Sequence, residues 1–499
     1  MILTSAAIVA VGLGAYGLGR VYPPLGPSAG TVGAAQRYVN PQVADKDVTL
    51  GDTSVPELMQ TDAFEQMVHD PNFRTLAASP GFKAIANQPQ VMAALLSNPR
   101  SFAQLAGNPA SFAGLVKAAQ DAGPLGQQSQ QASAALLGIV AGHTAAIQGL
   151  ANHPEALSSI FSDAASYGRF ASNSKAFSDA AADNALLKQL AADKAAMNAI
   201  IGDPTFFADL SANAGQFKGL SGQQQALTAA VNSAISAVRQ LQSAGVSNSG
   251  MQVLGRNGTA FAQLAGAPNA LNGIASHWQA FAGLSGHSAA LQAMMSDGHA
   301  FGKYANDARA FQLDAAKGAA GSPMSHNAVA FAQLASDRQA MNALQADPQV
   351  FAVIGNNAAE FGRLATNARQ FNPQLIAAVG QNGSAFSRLA ANAAALSSAG
   401  NSLQSLDAHS LVASAAAAGI LNAGAAKAAL GNPQAFAAIS ANPAAFAGIS
   451  QNAAALATLA ANQKAFAAIS AQPNMAALMA NPSFSAALNQ AGVSQSSAQ

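Results

Sequence analysis

Residues 432–471 read NPQAFAAISA, NPAAFAGISQ, NAAALATLAA and NQKAFAAISA, one ten-residue unit four times in succession. Asn432, Asn442, Asn452 and Asn462 open the units, and Pro follows in the first two. Phe436, Phe446 and Phe466 take the large apolar position, with Ile439, Ile449 and Ile469 three residues on. A small residue then closes the apolar run. An Asn side-chain oxygen can accept from the free N–H groups that open a helix, so these asparagines are the expected helix caps. Pro fits the first helical turn because its missing N–H has no partner there anyway. Residues three apart share a helix face, which makes the Phe–Ile pairs the expected repeat core. The next Asn-Pro ends the helix, since the residue before Pro is pushed out of the α region.

The unit is therefore two turns of helix and a tight turn. A helix that short does not stand alone in water. Burying one Phe stabilises by about 1.5–3 kcal/mol, whereas ordering ten residues costs about 10 kcal/mol or more in backbone entropy. The units must share a core. The expected fold class is all-α, an α-solenoid or superhelix of ten-residue short-helix repeats with an N-terminal transmembrane helix. Small residues after the Leu or Ile, among them Ala106, Ala151, Ala265 and Ser285, are expected to let neighbouring helices approach.

The unit recurs through most of the 499 residues, and nearly all of the 24 Phe residues fall on its large apolar position. Phe64, Phe73, Phe82, Met92, Phe102 and Phe112 anchor a first run. A longer run follows from Ile147 to Leu227 with Asp163, Asn173, Asp183, Asp193, Asp203 and Asn213 at the cap positions. The step resumes from Phe261 to Phe311 and again from Phe331 to Phe371, and it restarts at Phe386 after a five-residue shift. Stretches 132–142, 223–246 and 409–430 leave the pattern and read as longer helices, with Gly123-Pro124 as a turn. No alternating strand pattern is sustained. The organisation expected is an anchor at 1–20, an extended linker at 21–60 and a first repeat region at 61–246 with inserted longer helices. A second repeat region at 247–400, an Ala-rich helix with final repeats at 401–490 and a polar tail at 491–499 complete it.

Residues 1–19 carry no charge and match the length of a bilayer crossing. The absence of Lys or Arg before Arg20 favours an uncleaved anchor over a signal peptide. Ala6, Ala10 and Gly14 are four apart, a small-residue stripe suited to packing on another membrane helix. The same segment contains Gly12-Leu13-Gly14-Ala15-Tyr16-Gly17, a G-x-G-x-x-G match. Pro23, Pro24 and Pro27 break the helix a dinucleotide site requires, and no βαβ pattern follows.

Charged residues are 9% of the chain and the formal net charge is +1, so the electrostatic footprint of a nucleic-acid binder is missing. With no Cys, the chain alone offers no disulfide, zinc-thiolate site or iron–sulfur cluster. His143, His153, His277 and His287 stand four before large anchors. Stacked pairs of them could hold a metal, but two nitrogen ligands without a third make a weak site. Helix-end capping is the reading adopted for them, as it is for Asp183, Asp193 and Asp203, whose carboxylates suit helix starts. No catalytic motif, cofactor site or metal site is assigned.

The functional expectation is a non-enzymatic, membrane-anchored repeat scaffold, an accessory or structural subunit of a larger membrane protein assembly. Its expected partners are subunits of a membrane protein complex, and the lipid bilayer through residues 2–19. The expected place is the periplasmic side of a bacterial inner membrane, and a homo-oligomer is compatible with the composition. The alternative is a self-assembling filament or surface-layer protein, because a low net charge leaves little repulsion between copies. An enzyme or small-molecule binder using a cavity at one of the breaks is the third reading.

Overall fold

The computed structural model describes residues 91, 94, 95, 98–121, 123–317, 323–365 and 367–461. The expected transmembrane helix with Ala6, Ala10 and Gly14, the linker at 21–60, and Asn462, Phe466 and Ile469 lie outside these residues. Among the described residues every regular element is a helix and there is no strand. The decapeptide unit is seen directly in Pro433–Ala441 and Pro443–Ser450. Phe436, Ile439, Phe446 and Ile449 are all buried in them.

Three long helices depart from this step: α1 (Gly123–Gly142), α2 (Gln224–Ser243) and α3 (Ala393–Ala417). They pack on one another. Gly245 and Gly419, at φ +85° and +73°, are the left-handed residues that end α2 and α3. Val246 N–H bonds to the Leu241 carbonyl at 2.9 Å, and Ile420 N–H to that of Ala415 at 3.0 Å. These bonds satisfy carbonyls that a bare helix end would leave open. Gly419 also corrects one expectation. The stretch 409–430 is not one helix, because α3 stops at Ala417 and Asn422 caps a new helix, Ala423–Gly431, through Ala425 N–H at 2.8 Å. Gly123-Pro124, expected as a turn, instead opens α1, where Pro costs no hydrogen bond.

The chain runs out and returns between α1 and α2 and again between α2 and α3, and the segments before α1 and after α3 pair as well, giving three double-stranded arms of short helices. In the first arm Thr144–Ala151 lies against Lys194–Ile201, and Ala164–Tyr167 against Phe206–Ala212. In the second, Pro268–Ser276 meets Gly383–Ala390, Trp278–Ser285 meets Pro373–Gln381, and Ser288–Ser296 meets Ala358–Ala365. In the third, Pro99–Ala106 packs on Ala453–Ala461, and Pro109–Asp121 on Pro443–Ser450. Phenylalanines meet across the strands: Phe161–Phe217 at 4.6 Å between ring centres, Phe281–Phe361 at 5.6 Å and Phe102–Phe446 at 5.2 Å. Sequence neighbours touch as well, but the larger interfaces join units far apart in the chain. That differs from a stack in which each unit rests mainly on its neighbours. Most of the apolar core is one cluster, and the third arm forms a second, with residues of α3 in both.

The strands approach closely at the position between the large anchor's small neighbour and the following Leu or Ile, where the repeat carries no fixed residue type. A Cβ added to Gly149 would stand 3.1 Å from Ala196 Cα, and one on Gly283 3.1 Å from Ala340 Cα. Gly273 takes the Val353 side chain in the same way. The small residues that follow the Leu or Ile lie at close approaches as well: a Cβ on Gly355 would stand 3.0 Å from Gly302 Cα, and one on Gly400 2.6 Å from Ala265 Cβ.

The cap asparagines divide into two groups by backbone ψ. Asn173 (ψ 77°), Asn372 (ψ 160°), Asn392 (ψ 78°) and Asn422 (ψ 166°) accept from the N–H groups of the helix ahead. Asn432 (ψ 60°), Asn442 (ψ 51°), Asn257 (ψ 33°) and Asn382 (ψ 27°) make no such bond. Their Nδ2 groups turn back and donate to the carbonyl four residues earlier: Asn432 to Ala428 at 3.0 Å, Asn442 to Ala438 at 3.4 Å, Asn257 to Val253 and Asn382 to Ala378 at 2.8 Å. Asn452 does the same to Gly448 at 3.3 Å. The expected N-caps Asn432, Asn442 and Asn452 thus close the preceding helix instead. At low ψ the side-chain oxygen is carried away from the next turn, and the last carbonyls of the finished helix need donors as much as the first N–H groups need acceptors. Asp183 is likewise no cap: it ends the helix Ser174–Asp183, and Asn184 takes the turn through Leu186 N–H at 2.8 Å.

Among the described residues no single helix is long and apolar enough to cross a membrane. The apolar pair Gln130–Gly142 and Thr144–Ala151 bends by 111° between its halves, and its apolar residues are in the core.

Three substitutions test these packing and capping rules by thermal and denaturant unfolding, with Trp278, the one tryptophan, as a fluorescent reporter beside Gly380. Gly283→Val should cost about 1–3 kcal/mol by overpacking the strand crossing. Asn382→Asp should cost about 1–3 kcal/mol, because a buried carboxylate replaces the donor to Ala378, while Asn173→Asp, at a true N-cap, should stay within about 0.5 kcal/mol.

Candidate functional site

The three long helices bring the inner ends of the arms together and leave an open, polar cleft between them. Its main bay, about 740 Å³, is walled by Gln130 and Gln131 of α1, Gln252 and Arg256 of Asn248–Arg256, Asn213 and Gln216 of the first arm, and Asn372 and Gln374 of the second. A second bay of about 350 Å³ shares Gln130, Arg256, Asn257 and Asn372 and adds Thr259, Arg369, Gln370 and Asp407. A third of about 310 Å³ continues from Thr259 and Gln370 to Gln263, Gln404 and, on the third arm, Asn98 and Asn442. The bays form one trough touching all three arms. No aromatic side chain lines it among the described residues.

The floor is held by amides. Asn372 donates through Nδ2 to Asn257 Oδ1 at 2.6 Å and accepts at Oδ1 from Leu375 N–H at 2.9 Å. Asn257 in turn donates to the Val253 carbonyl. Three acceptor oxygens along the trough are shut off from solvent and have no hydrogen-bond partner: Gln263 Oε1, Gln370 Oε1 and Asp407 Oδ1. Burial pushes the Asp407 carboxyl up to about 6, against a hydrogen bond from Thr259 that pulls it down. His409, two residues on, also has an unpartnered, buried Nδ1, and burial holds its pKa below the usual histidine value.

The histidines singled out in the sequence occupy helix starts, but none makes a cap bond through its side chain. Each pairs instead with aspartate on the returning strand. His143 lies between two carboxylates, Nδ1 on Asp203 and Nε2 on Asp209, the latter at 2.8 Å. With both ring nitrogens protonated it donates to both. His153 Nε2 meets Asp193 at 3.0 Å. The second arm repeats the device: His277 Nδ1 with Asp347 at 2.7 Å, and His287 Nε2 with Asp337 at 3.0 Å. In both arms two histidines ten residues apart thus meet aspartates across the gap. Asp193 is held below the usual carboxylate range by the Ala196 N–H and by His153, and Asp337 by His287 and the Ala340 N–H. Both aspartates also cap their own helices. Stacked histidines sharing a metal are not what this geometry makes, and among the described residues no group of three His, Cys, Asp or Glu is placed to hold an ion.

The trough was not legible residue by residue. Its walls come from segments far apart in the chain, and only the breaks in the ten-residue step mark where they converge. What the trough offers chemically is amide donors and acceptors, the guanidinium groups of Arg256, Arg369 and Arg363, and the Asp209 and Asp407 carboxyls.

Asp407 gives a signed prediction. Its folded pKa lies above the unfolded value, so ionising it opposes folding, and the penalty grows between about pH 4 and 6 and then levels off. Asp407→Asn should raise the melting temperature at pH 7.5, by up to about 3 kcal/mol of stability, and leave it unchanged at pH 4. An equal effect at both pH values would contradict the assignment. Comparison of the chain with known protein families, with curated proteins and with solved structures finds no match.

Proposed function

We propose that the chain is a non-enzymatic helical-repeat scaffold that holds a partner protein at the junction of its arms, as an accessory subunit of a larger assembly. The observation that carries this reading is the trough itself: a polar concavity reached by all three arms, lined by side chains suited to binding. The arms supply long, weakly charged flanks of repeats wound as a two-stranded superhelix. Residues 2–19 are proposed to anchor the body to a bilayer, with the uncharged run and the Ala6, Ala10 and Gly14 stripe supporting that anchor and a membrane complex as the assembly. The Asn-, Gln- and Ser-rich surface supports the periplasmic side.

A second reading, self-assembly, draws on the arm ends. The exposed large apolar residues Leu186, Leu313 and Val329 all lie at the outer turns of the first and second arms. Gentle purification of the tagged full chain from native membranes separates the readings. The scaffold predicts stoichiometric co-purifying proteins and single particles by electron microscopy. Regular polymers of the chain alone would favour self-assembly, and recovery in the soluble fraction would remove the anchor.

A further inference from the structure

The trough's chemistry names the class of its occupant. We propose that it binds an extended stretch of polypeptide, reading the backbone through side-chain amides and placing one donor side chain against Asp407. This rests on the scaffold reading and gives that partner a chemical form.

A primary amide carries one carbonyl acceptor and an N–H₂ donor, the same pair that a peptide group presents. Gln130, Gln252 and Gln374 reach the main bay from three separate segments, and all three are exposed. The three unpartnered oxygens, of Gln263, Gln370 and Asp407, run through the adjoining bays. Buried acceptors without donors are costly, and rotation of these half-buried side chains into the trough would let an occupant's donors satisfy them. Successive backbone N–H groups of an extended chain are such donors, at regular intervals. Lys, Arg or Ser on that chain would complete Asp407.

Other ligand classes fit less well. Saccharides are held by stacking on aromatic faces, and the trough has no aromatic wall. A nucleic-acid backbone needs a concentration of positive charge, whereas Arg256, Arg369 and Arg363 are spread over the three bays with the Asp209 and Asp407 carboxyls among them. A bay of about 740 Å³ lies within the range of ordinary ligand sites.

The test presents the purified full chain to an array of random dodecapeptides and, in parallel, to an oligosaccharide array. Retained peptides are then resynthesised with N-methyl groups on alternate backbone nitrogens. The expected result is peptide retention, at least tenfold weaker binding of the N-methylated forms, and at least tenfold loss in a Gln130→Ala/Gln252→Ala variant whose melting temperature is unchanged. Preference for Lys, Arg or Ser at one position should vanish in Asp407→Asn. Retention of no peptide, equal binding of N-methylated peptide, or retention of oligosaccharides alone overturns the proposal. Partners that still co-purify with the Gln130→Ala/Gln252→Ala variant, with no peptide retained, would leave the scaffold and remove the cleft. Peptides retained by a chain that recovers no partner from its native source would do the reverse.

Discussion

A two-turn helix can bury one Phe and one Leu or Ile only if something apolar faces it along its whole length. Its neighbour in sequence leaves at a sharp turn and cannot cover that face alone. The returning strand can, and the arms follow from this requirement. Phe281 and Phe361 lie nearly parallel, at 10°, and Phe102 and Phe446 at 3°, one ring from each strand. The same need for cover explains the glycines. A helix pair sharing so small a core must approach until backbones touch, and Gly149 and Gly283 allow it. The histidine–aspartate pairs lie at the rims of these interfaces, where both strands start or end helices and charged groups remain partly hydrated.

The helices, their ten-residue step and their buried phenylalanines follow from local patterns: a cap, a proline and two apolar residues three apart. The arms do not. Which strand meets which depends on complementarity between individual pairs, Gly273 with Val353 or Gly283 with Ala340, and the repeat leaves those positions free. The asparagines show a finer limit. Asn442 and Asn372 both precede Pro, but ψ of 51° and 160° send their side chains to opposite helix ends. The histidines were found by position and their partners were not, because Asp347 and Asp337 become neighbours only when the second arm doubles back.

The long helices solve a different problem from the short ones. Where three double-stranded arms converge, no short unit can bridge from one to the next. α2 packs against α1, α3 and the first arm, and α3 carries residues of both apolar clusters. The glycine-closed ends of α2 and α3 reverse the chain there without an Asn-Pro turn. The trough is polar for a related reason: it is bounded by helix ends and by the outer faces of helices whose apolar sides are already spent on the arms.

The pairing of Phe102 with Phe446 has a consequence for biosynthesis. The two rings are separated by roughly 340 residues, which a ribosome adding about 5–20 residues per second covers in about 20–70 s. For that interval the apolar face of Pro99–Ala106 has left the exit tunnel with its counterpart not yet made. The first and second arms, whose strands close over shorter spans, can collapse in the meantime. The third closes only once the segment around Phe446 has been made.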